Sequence, residues 1–418
     1  MKKHLIVKGG QVLSGECEVS GSKNAVLPIL AASIMIQGQS VIENVPNLLD
    51  VQSMLKMLNA LNINASLFNQ TVTINNQGKP KHIAPYDLVT TMRASFLVAG
   101  PILAMNGYAK VALPGGCSIG ARPVDIHLKG LECLGADVSL EHGFVTLKTK
   151  KLKGNVIDLG FPSVGATEHI MMTAALAEGE SIINQAAREP EIIDLANFLN
   201  KSGAKIEGAG TPIIKIQGVQ KLEGCSKYEI IPDRIELITF LIAAAITRGE
   251  ILIRKVNLKG IESACDVLKQ IGVVIQDKKE GLYLDARNIV IKGVTFKTEP
   301  FPGFPTDMQA QFMALLSLAD GTSIIRESIF ENRFMHVPEL IRMGADIQIQ
   351  DHTATIIGKE KLSGADVNMT DLRAGAALVL AALVAEGYTK IYGVHHLMRG
   401  YDDLPAKLRT LGAEIAYG

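Results

Sequence analysis

Glycines punctuate this chain at a fixed interval. Gly38, Gly107, Gly179, Gly249, Gly321 and Gly387 each follow an alanine-rich apolar run and precede a β-branched one, at steps of about seventy residues. A second marker, a helix-ending glycine, falls at Gly135, Gly203, Gly272, Gly344 and Gly412, with Asn62 in the first copy. Two markers sharing one period restrict the chain to six copies of one unit. Each copy holds two kinds of helix. One is apolar nearly all round (25–36, 96–105, 170–177, 237–246, 312–319, 374–385), and such a helix has to be enclosed on every side. The other is amphipathic, as in Ile192, Leu195, Ala196 and Leu199 with Asp194, Asn197 and Asn200 between them. Short β-branched runs separate the helices, so each unit reads as β-α-β-α-β-β. The expected class is α/β, with helices inside and sheets wrapped outside.

The amino end repeats a motif found later. Residues 6–9 through 13–15 resemble 356–358 through 362–364, and also 216–218 through 222–224. A strand pair that elsewhere closes a unit therefore opens the chain. If units associate in threes, one domain spans 21–229, and a second, discontinuous one combines 1–20 with 230–418. A length of 418 residues with 47% hydrophobic and 20% charged content is consistent with two large cores and excludes extensive disorder.

Formal net charge is zero, which disfavours a nucleic-acid or anionic-membrane surface. The five cysteines (Cys17, Cys117, Cys133, Cys225, Cys265) are widely spaced without a C-x-x-C pair, against a disulfide framework or zinc site and for a reducing cytoplasm. Only Leu5, Ile6 and Val7 separate the basic start from Lys8, too little for a signal peptide, and the longest apolar runs are about two-thirds of a membrane span. A soluble cytosolic protein is expected, with no metal, no cofactor and no obligate protein partner.

Polar residues collect in few places. Residues 113–125 contain three glycines and two prolines around Cys117, with Arg122 five residues on. A thiol of ordinary pKa ~8.5 beside a cation can serve as acid or nucleophile, although the same stretch also reads as a plain surface turn. The segments entering the apolar helices (20–24, 86–93, 163–167, 232–234, 305–307, 370–373) carry Ser, Thr and Asp fit for N-caps. Capping does not ask for Lys23, Arg93, Arg234 or Arg373, because a cation is disfavoured there; converging helix starts with added cations make an anion site. Asp307 follows a proline-rich, aromatic stretch, a rigid apolar setting expected to raise its carboxyl toward acid–base duty, with a helix cap as the plain alternative. His336, His395 and His396 show no metal spacing; the 395–400 segment points to Arg399, and Asp402–Asp403 to a solvated helix start.

Several motifs together resemble those of the UDP-N-acetylglucosamine 1-carboxyvinyltransferases, enolpyruvyl transferases of the EPSP synthase-like superfamily. They are Gly21-Ser22-Lys23-Asn24-Ala25, Thr91-Met92-Arg93-Ala94-Ser95, the Pro-Gly-Gly-Cys loop into Gly120-Ala121-Arg122-Pro123-Val124-Asp125, and Ala187-Arg188-Glu189-Pro190-Glu191. Pro305-Thr306-Asp307-Met308-Gln309, Glu331-Asn332-Arg333-Phe334-Met335-His336 and Asp371-Leu372-Arg373-Ala374 complete the set, so the likeness runs the whole length. It implies two inverse α/β barrels of three units each, with the active site in the cleft between domains. The implied reaction moves enolpyruvyl from phosphoenolpyruvate to the 3′-hydroxyl of UDP-N-acetylglucosamine and releases phosphate, opening peptidoglycan synthesis.

The same resemblance implies site roles. Cys117 is the general acid, able to form a covalent adduct with phosphoenolpyruvate and open to alkylation by fosfomycin-type epoxides. Asp307 accepts the sugar proton. Lys23, Arg122 and Arg399 clamp phosphate and carboxylate, and Asn24 bridges both substrates. Arg93, Arg122, Pro123, Val124, Asp125, Ile126, Ser163, Val164 and Ile329 line the nucleotide-sugar site, with Asp371 and Arg373 also binding substrate. Two departures stand out: Asn47-Leu48-Leu49 where some relatives have lysines, and Phe161-Pro162 where many have a lysine before Ser-Val-Gly-Ala-Thr. The rival readings are a non-catalytic UDP-sugar-binding paralogue, the shikimate-pathway enolpyruvyl transferase, which lacks the Pro-Gly-Gly-Cys loop, and a repeat scaffold.

Overall fold

A computed structural model describes residues 4–114 and 124–418. The described chain is a mixed α/β protein dividing into two compact units, one of residues 21–231 and the other of 4–20 with 232–418. Each has its own hydrophobic core. Among the described residues no helix is long and apolar enough to cross a membrane.

In the first unit, the apolar stretches become the helices Lys23–Ala32, Ala99–Asn106 and Val164–Ala174. In the second they become Arg234–Ile246, Gln309–Leu316 and Leu372–Ala382, and every residue of Arg234–Ile246 and of Gln309–Leu316 is buried. The three helices of the second unit pack on one another. Helix starts follow the caps expected of them: Ser22, Ser163, Asp233 and Asp371 each accept a hydrogen bond from a backbone N–H of the first turn. The stretch 96–105 is the exception to a simple helix. It opens as a 3₁₀ helix, Arg93–Val98, and turns α only at Ala99. Pro101 explains the break: it has no N–H, and its ring would collide with the carbonyl of Leu97 in a continuous helix.

The strands form six small sheets among the described residues, each mixing antiparallel with parallel pairing or standing as an antiparallel trio. Along most strands buried and exposed residues alternate, as in Glu250–Arg254 and His4–Lys8, so one face meets helices and the other solvent. His4–Lys8 lies between Tyr388–Tyr392 and Glu414–Tyr417, antiparallel to both, with Leu5 opposite Ile391 and Tyr417. Ser14–Glu18 runs parallel to Glu250–Arg254. The opening strand pair thus sits in sheets built from the last part of the chain. The four described cysteines, Cys17, Cys133, Cys225 and Cys265, are free thiols.

Candidate functional site

Cys117, Arg122 and Pro123 lie outside the described residues, so the thiol loop is placed only by its flanks, Leu113–Pro114 and Val124. The remaining candidates fall into a group in each unit.

In the second unit the centre is Asp307. It stands on the 3₁₀ turn Thr306–Met308 that leads into Gln309–Leu316. Its Oδ1 accepts from Arg333 at 2.7 Å and its Oδ2 from Arg373 at 3.1 Å, while both guanidiniums are 5% exposed. Arg373 belongs to the first turn of Leu372–Ala382, so this pair brings two helix starts side by side. Burial alone would raise the Asp307 carboxyl, but Arg373 and Arg333 outweigh it and hold the group well below the usual carboxylate range. This corrects the expectation drawn from the proline-rich setting: the neighbours that decide the charge are two arginines far along the chain. Arg373 also lies over the buried Tyr401 ring, whose hydroxyl is 2.9 Å from Thr239 Oγ1.

Charge links the other candidates to the same place. Asp371 caps its helix through the N–H groups of Arg373 and Ala374. Burial pushes His336 down to about 4, with Asp371 opposing and Arg333 reinforcing the shift. His396 is lowered by burial first, then by His395 and Arg399, against a smaller pull from Asp371. Arg399, on the 3₁₀ turn Leu397–Arg399, therefore shares a field with Asp371. Ile329 is set by Glu327, a buried carboxylate that accepts from the N–H groups of Ile329 and Phe330 and the hydroxyls of Thr298 and Thr306. Thr306 precedes Asp307, so one carboxylate fixes both places. Arg234 is buried beside Gly260 O and Phe301, which places this helix-start cation within the packing of its own unit.

In the first unit Lys23 opens its helix, and its ammonium meets the buried Asp50 carboxylate at 2.8 Å. Asp50 sits in the first turn of Leu49–Ala60, where an acid favours the dipole and so reads in sequence as routine. Asn24 follows, half-buried; Pro28 removes the intrahelical donor to the Asn24 carbonyl. Arg93 heads the 3₁₀ segment. Val124 is buried, Asp125 exposed and Ile126 half-buried at the start of Asp125–Cys133. Ser163 caps Val164–Ala174 by accepting from Ala166 at 3.4 Å. Asn47 and Phe161, at the two departures, are exposed. Sequence reasoning did not assign roles to Asp50, Arg333, Glu327 or Tyr401. Arg333 alone had a signal, since it stands inside a motif that carried the resemblance.

The fold is that of the carboxyvinyl transferases. The family of EPSP synthase (3-phosphoshikimate 1-carboxyvinyltransferase) matches residues 7–408, and the chain belongs to it. Within that family the chain is 52% identical to UDP-N-acetylglucosamine 1-carboxyvinyltransferase 1 of Caldanaerobacter subterraneus subsp. tengcongensis over 416 residues, 99% of each chain. It is also 52% identical to the UDP-N-acetylglucosamine 1-carboxyvinyltransferase of Geotalea uraniireducens over 411 residues, 98% of each. Among solved structures, the enolpyruvyl transferase NikO from Streptomyces tendae aligns at TM-score 0.88 and 26% identity, covering 99% of this chain and 98% of that one. An EPSP synthase from Acinetobacter baumannii shares the fold at TM-score 0.74 and 19% identity, covering 99% of this chain and 100% of its own.

Proposed function

We propose that the chain transfers the enolpyruvyl group of phosphoenolpyruvate to the 3′-hydroxyl of UDP-N-acetylglucosamine, a cytoplasmic step that commits the sugar to peptidoglycan. The observation that carries this reading is Asp307, an ionised carboxylate clasped by Arg333 and Arg373 where two helices begin. The identity to enzymes of that name over nearly the whole chain supports it. The same reading groups the six units in threes as two inverse α/β barrels.

The chemistry is addition followed by elimination. The Cys117 thiol gives a proton to the methylene carbon of phosphoenolpyruvate, and Asp307 takes the proton of the sugar hydroxyl as its oxygen bonds to the central carbon. The carbon–oxygen bond to phosphate then breaks as the new methyl group returns a proton to the Cys117 thiolate, and the departing phosphate carries off the proton held by Asp307. Lys23, Arg122 and Arg399 balance the phosphate and carboxylate charges, and Asn24 contacts both substrates. Arg93, Arg122 to Ile126, Ser163, Val164 and Ile329 hold the nucleotide sugar. A carboxylate with two guanidiniums is a weak base. The substrate's own carboxylate competes for Arg373, and as that arginine turns to it Asp307 gains basicity when the hydroxyl arrives.

Phosphate release measured with and without UDP-N-acetylglucosamine tests the reading. Release should require the sugar nucleotide and fall by about 10²–10⁴ in Asp307→Asn, the usual contribution of a positioned base. Sugar-nucleotide binding with no release would instead favour a non-catalytic paralogue, a reading that the presence of Lys23, Cys117, Asp307 and Arg399 argues against.

A further inference from the structure

Tyr401 stands where three buried helices of the second unit meet, and the roles above leave it unused. Thr239 lies on Arg234–Ile246, Gln311 on Gln309–Leu316 and Arg373 on Leu372–Ala382, and each has a polar atom within hydrogen-bond reach of the Tyr401 hydroxyl. Tyr401 is 3% exposed and follows Gly400, the residue after the Arg399 turn. A Cβ on Gly400 would fall 2.4 Å from Leu372 Cδ2, so glycine lets that turn lie against the start of the Arg373 helix.

The contacts dictate the direction of the hydroxyl. Thr239 Oγ1 lies 2.8 Å from the Ile235 carbonyl, which cannot donate, so the threonine hydrogen points there. Tyr401 and Thr239 then meet at 2.9 Å through the Tyr401 hydrogen. Burial holds the phenol above its ordinary value, so that hydrogen stays in place. The Tyr401 oxygen is left as an acceptor, and Arg373 Nη1 and Gln311 Nε2 each donate to it at 3.4 Å. Both donors also hold Asp307. Arg373 Nη2 reaches its Oδ2 at 3.1 Å, and Gln311 Nε2 reaches its backbone carbonyl at 3.1 Å.

We propose that Tyr401 is a positioning residue for the transfer: with its hydrogen turned to Thr239, its oxygen anchors the Arg373 guanidinium beside Asp307. The transfer rests on the function proposed above; the direction of the hydroxyl does not. Nη1 stays on Tyr401 while Nη2 exchanges Asp307 for the substrate carboxylate, so the arginine turns about a fixed point. Tyr401→Phe keeps the ring and loses the anchor. Thr239→Val takes the acceptor from the Tyr401 hydrogen, which then turns toward Arg373 and Gln311 and meets their own N–H groups. Thr239→Ser keeps both bonds.

The test is phosphate release at saturating substrates, measured beside UDP-N-acetylglucosamine affinity. Tyr401→Phe should lower kcat about tenfold, the lower end for a hydrogen bond to a charged group, and leave the affinity within about twofold. Thr239→Val should share the loss, the double variant should lose no more than Tyr401→Phe, and Thr239→Ser should match wild type. Wild-type kcat in Tyr401→Phe, or losses that multiply in the double variant, overturn the positioning role. An equal loss in Thr239→Ser overturns it too. Nitrogen NMR of the arginine-labelled full chain reads the anchor without turnover. Exchange between the two Nη signals of Arg373 should be several-fold faster in Tyr401→Phe and Thr239→Val than in wild type and Thr239→Ser. Equal rates in all four overturn the hydrogen bond. A wild type that releases no phosphate overturns the activity, and the guanidinium signals then judge the anchor by themselves.

Discussion

Burial and charge act in opposite directions on Asp307, and the arginines prevail. A carboxyl whose folded pKa is depressed stays ionised above that value, so the wild-type pH profile of kcat/KM should show no acid limb from Asp307 between pH 5 and 9. Arg333→Gln removes the nearer guanidinium and raises the carboxyl. Its kcat/KM should therefore fall at pH 5 relative to pH 8 by more than that of wild type, and superimposable profiles would show that Arg333 does not tune the base. None of this charge pattern was legible locally, because Arg333 and Arg373 lie 26 and 66 residues from Asp307. The same holds for Lys23, whose partner Asp50 belongs to a different helix and looks like an ordinary helix-start acid. Residue type and motif can mark a position; the field around it comes from folding.

Helix endings were more legible, since they depend on local backbone. Gly135, Gly203, Gly272, Gly344 and Gly412 all have positive φ, from 91° to 110°, and Asn62 takes 71°. Those are the left-handed values that close a helix, which glycine adopts freely and asparagine tolerates. At Gly203 an added Cβ would meet nothing within 4 Å, so Gly203→Ala should cost strain alone, about 1–2 kcal/mol. Asn62→Gly should be neutral or slightly stabilising. Urea unfolding of the chain checks both, and an unchanged midpoint for Gly203→Ala would remove strain as the reason for the glycine. Gly249 shows where the pattern misleads. It shares the spacing of the other punctuating glycines, yet Arg248 carries the positive φ, at 52°. Gly249 is required by proximity instead: its Cβ would sit 2.0 Å from the Leu13 carbonyl, beside the strand pair Ser14–Glu18 and Glu250–Arg254. Sequence shows the glycine but not which of the two needs it meets. The broken start of the 96–105 helix is similar, because Pro101 constrains residues before it that look fully helical by composition.

At the scale of the whole molecule, residues 4–20 are structural members of the unit formed by 232–418. His4–Lys8 is an inner strand of its sheet, and Leu5, Val7, Leu13 and Val19 are at most 2% exposed within the same core as Arg234–Ile246. Burying four such side chains contributes about 6–12 kcal/mol, comparable with the ~5–15 kcal/mol that stabilises a typical domain. Removing residues 1–20 should therefore unfold 232–418 and leave 21–231 with its own core. The chain ends also meet, as Gly418 N–H donates to the His4 carbonyl at 3.0 Å. Continuity through the present amino terminus is thus dispensable while the strand itself is not. A permutant that joins Gly418 to the start through a short linker, and opens the exposed turn between His142 and Gly143, keeps every strand in its sheet. Hydrogen exchange separates the outcomes: Arg234–Ile246 should stay protected in the permutant and lose protection in the chain that begins at Gly21. Protection retained in the truncated chain would mean that the remaining sheets close without their inner strand.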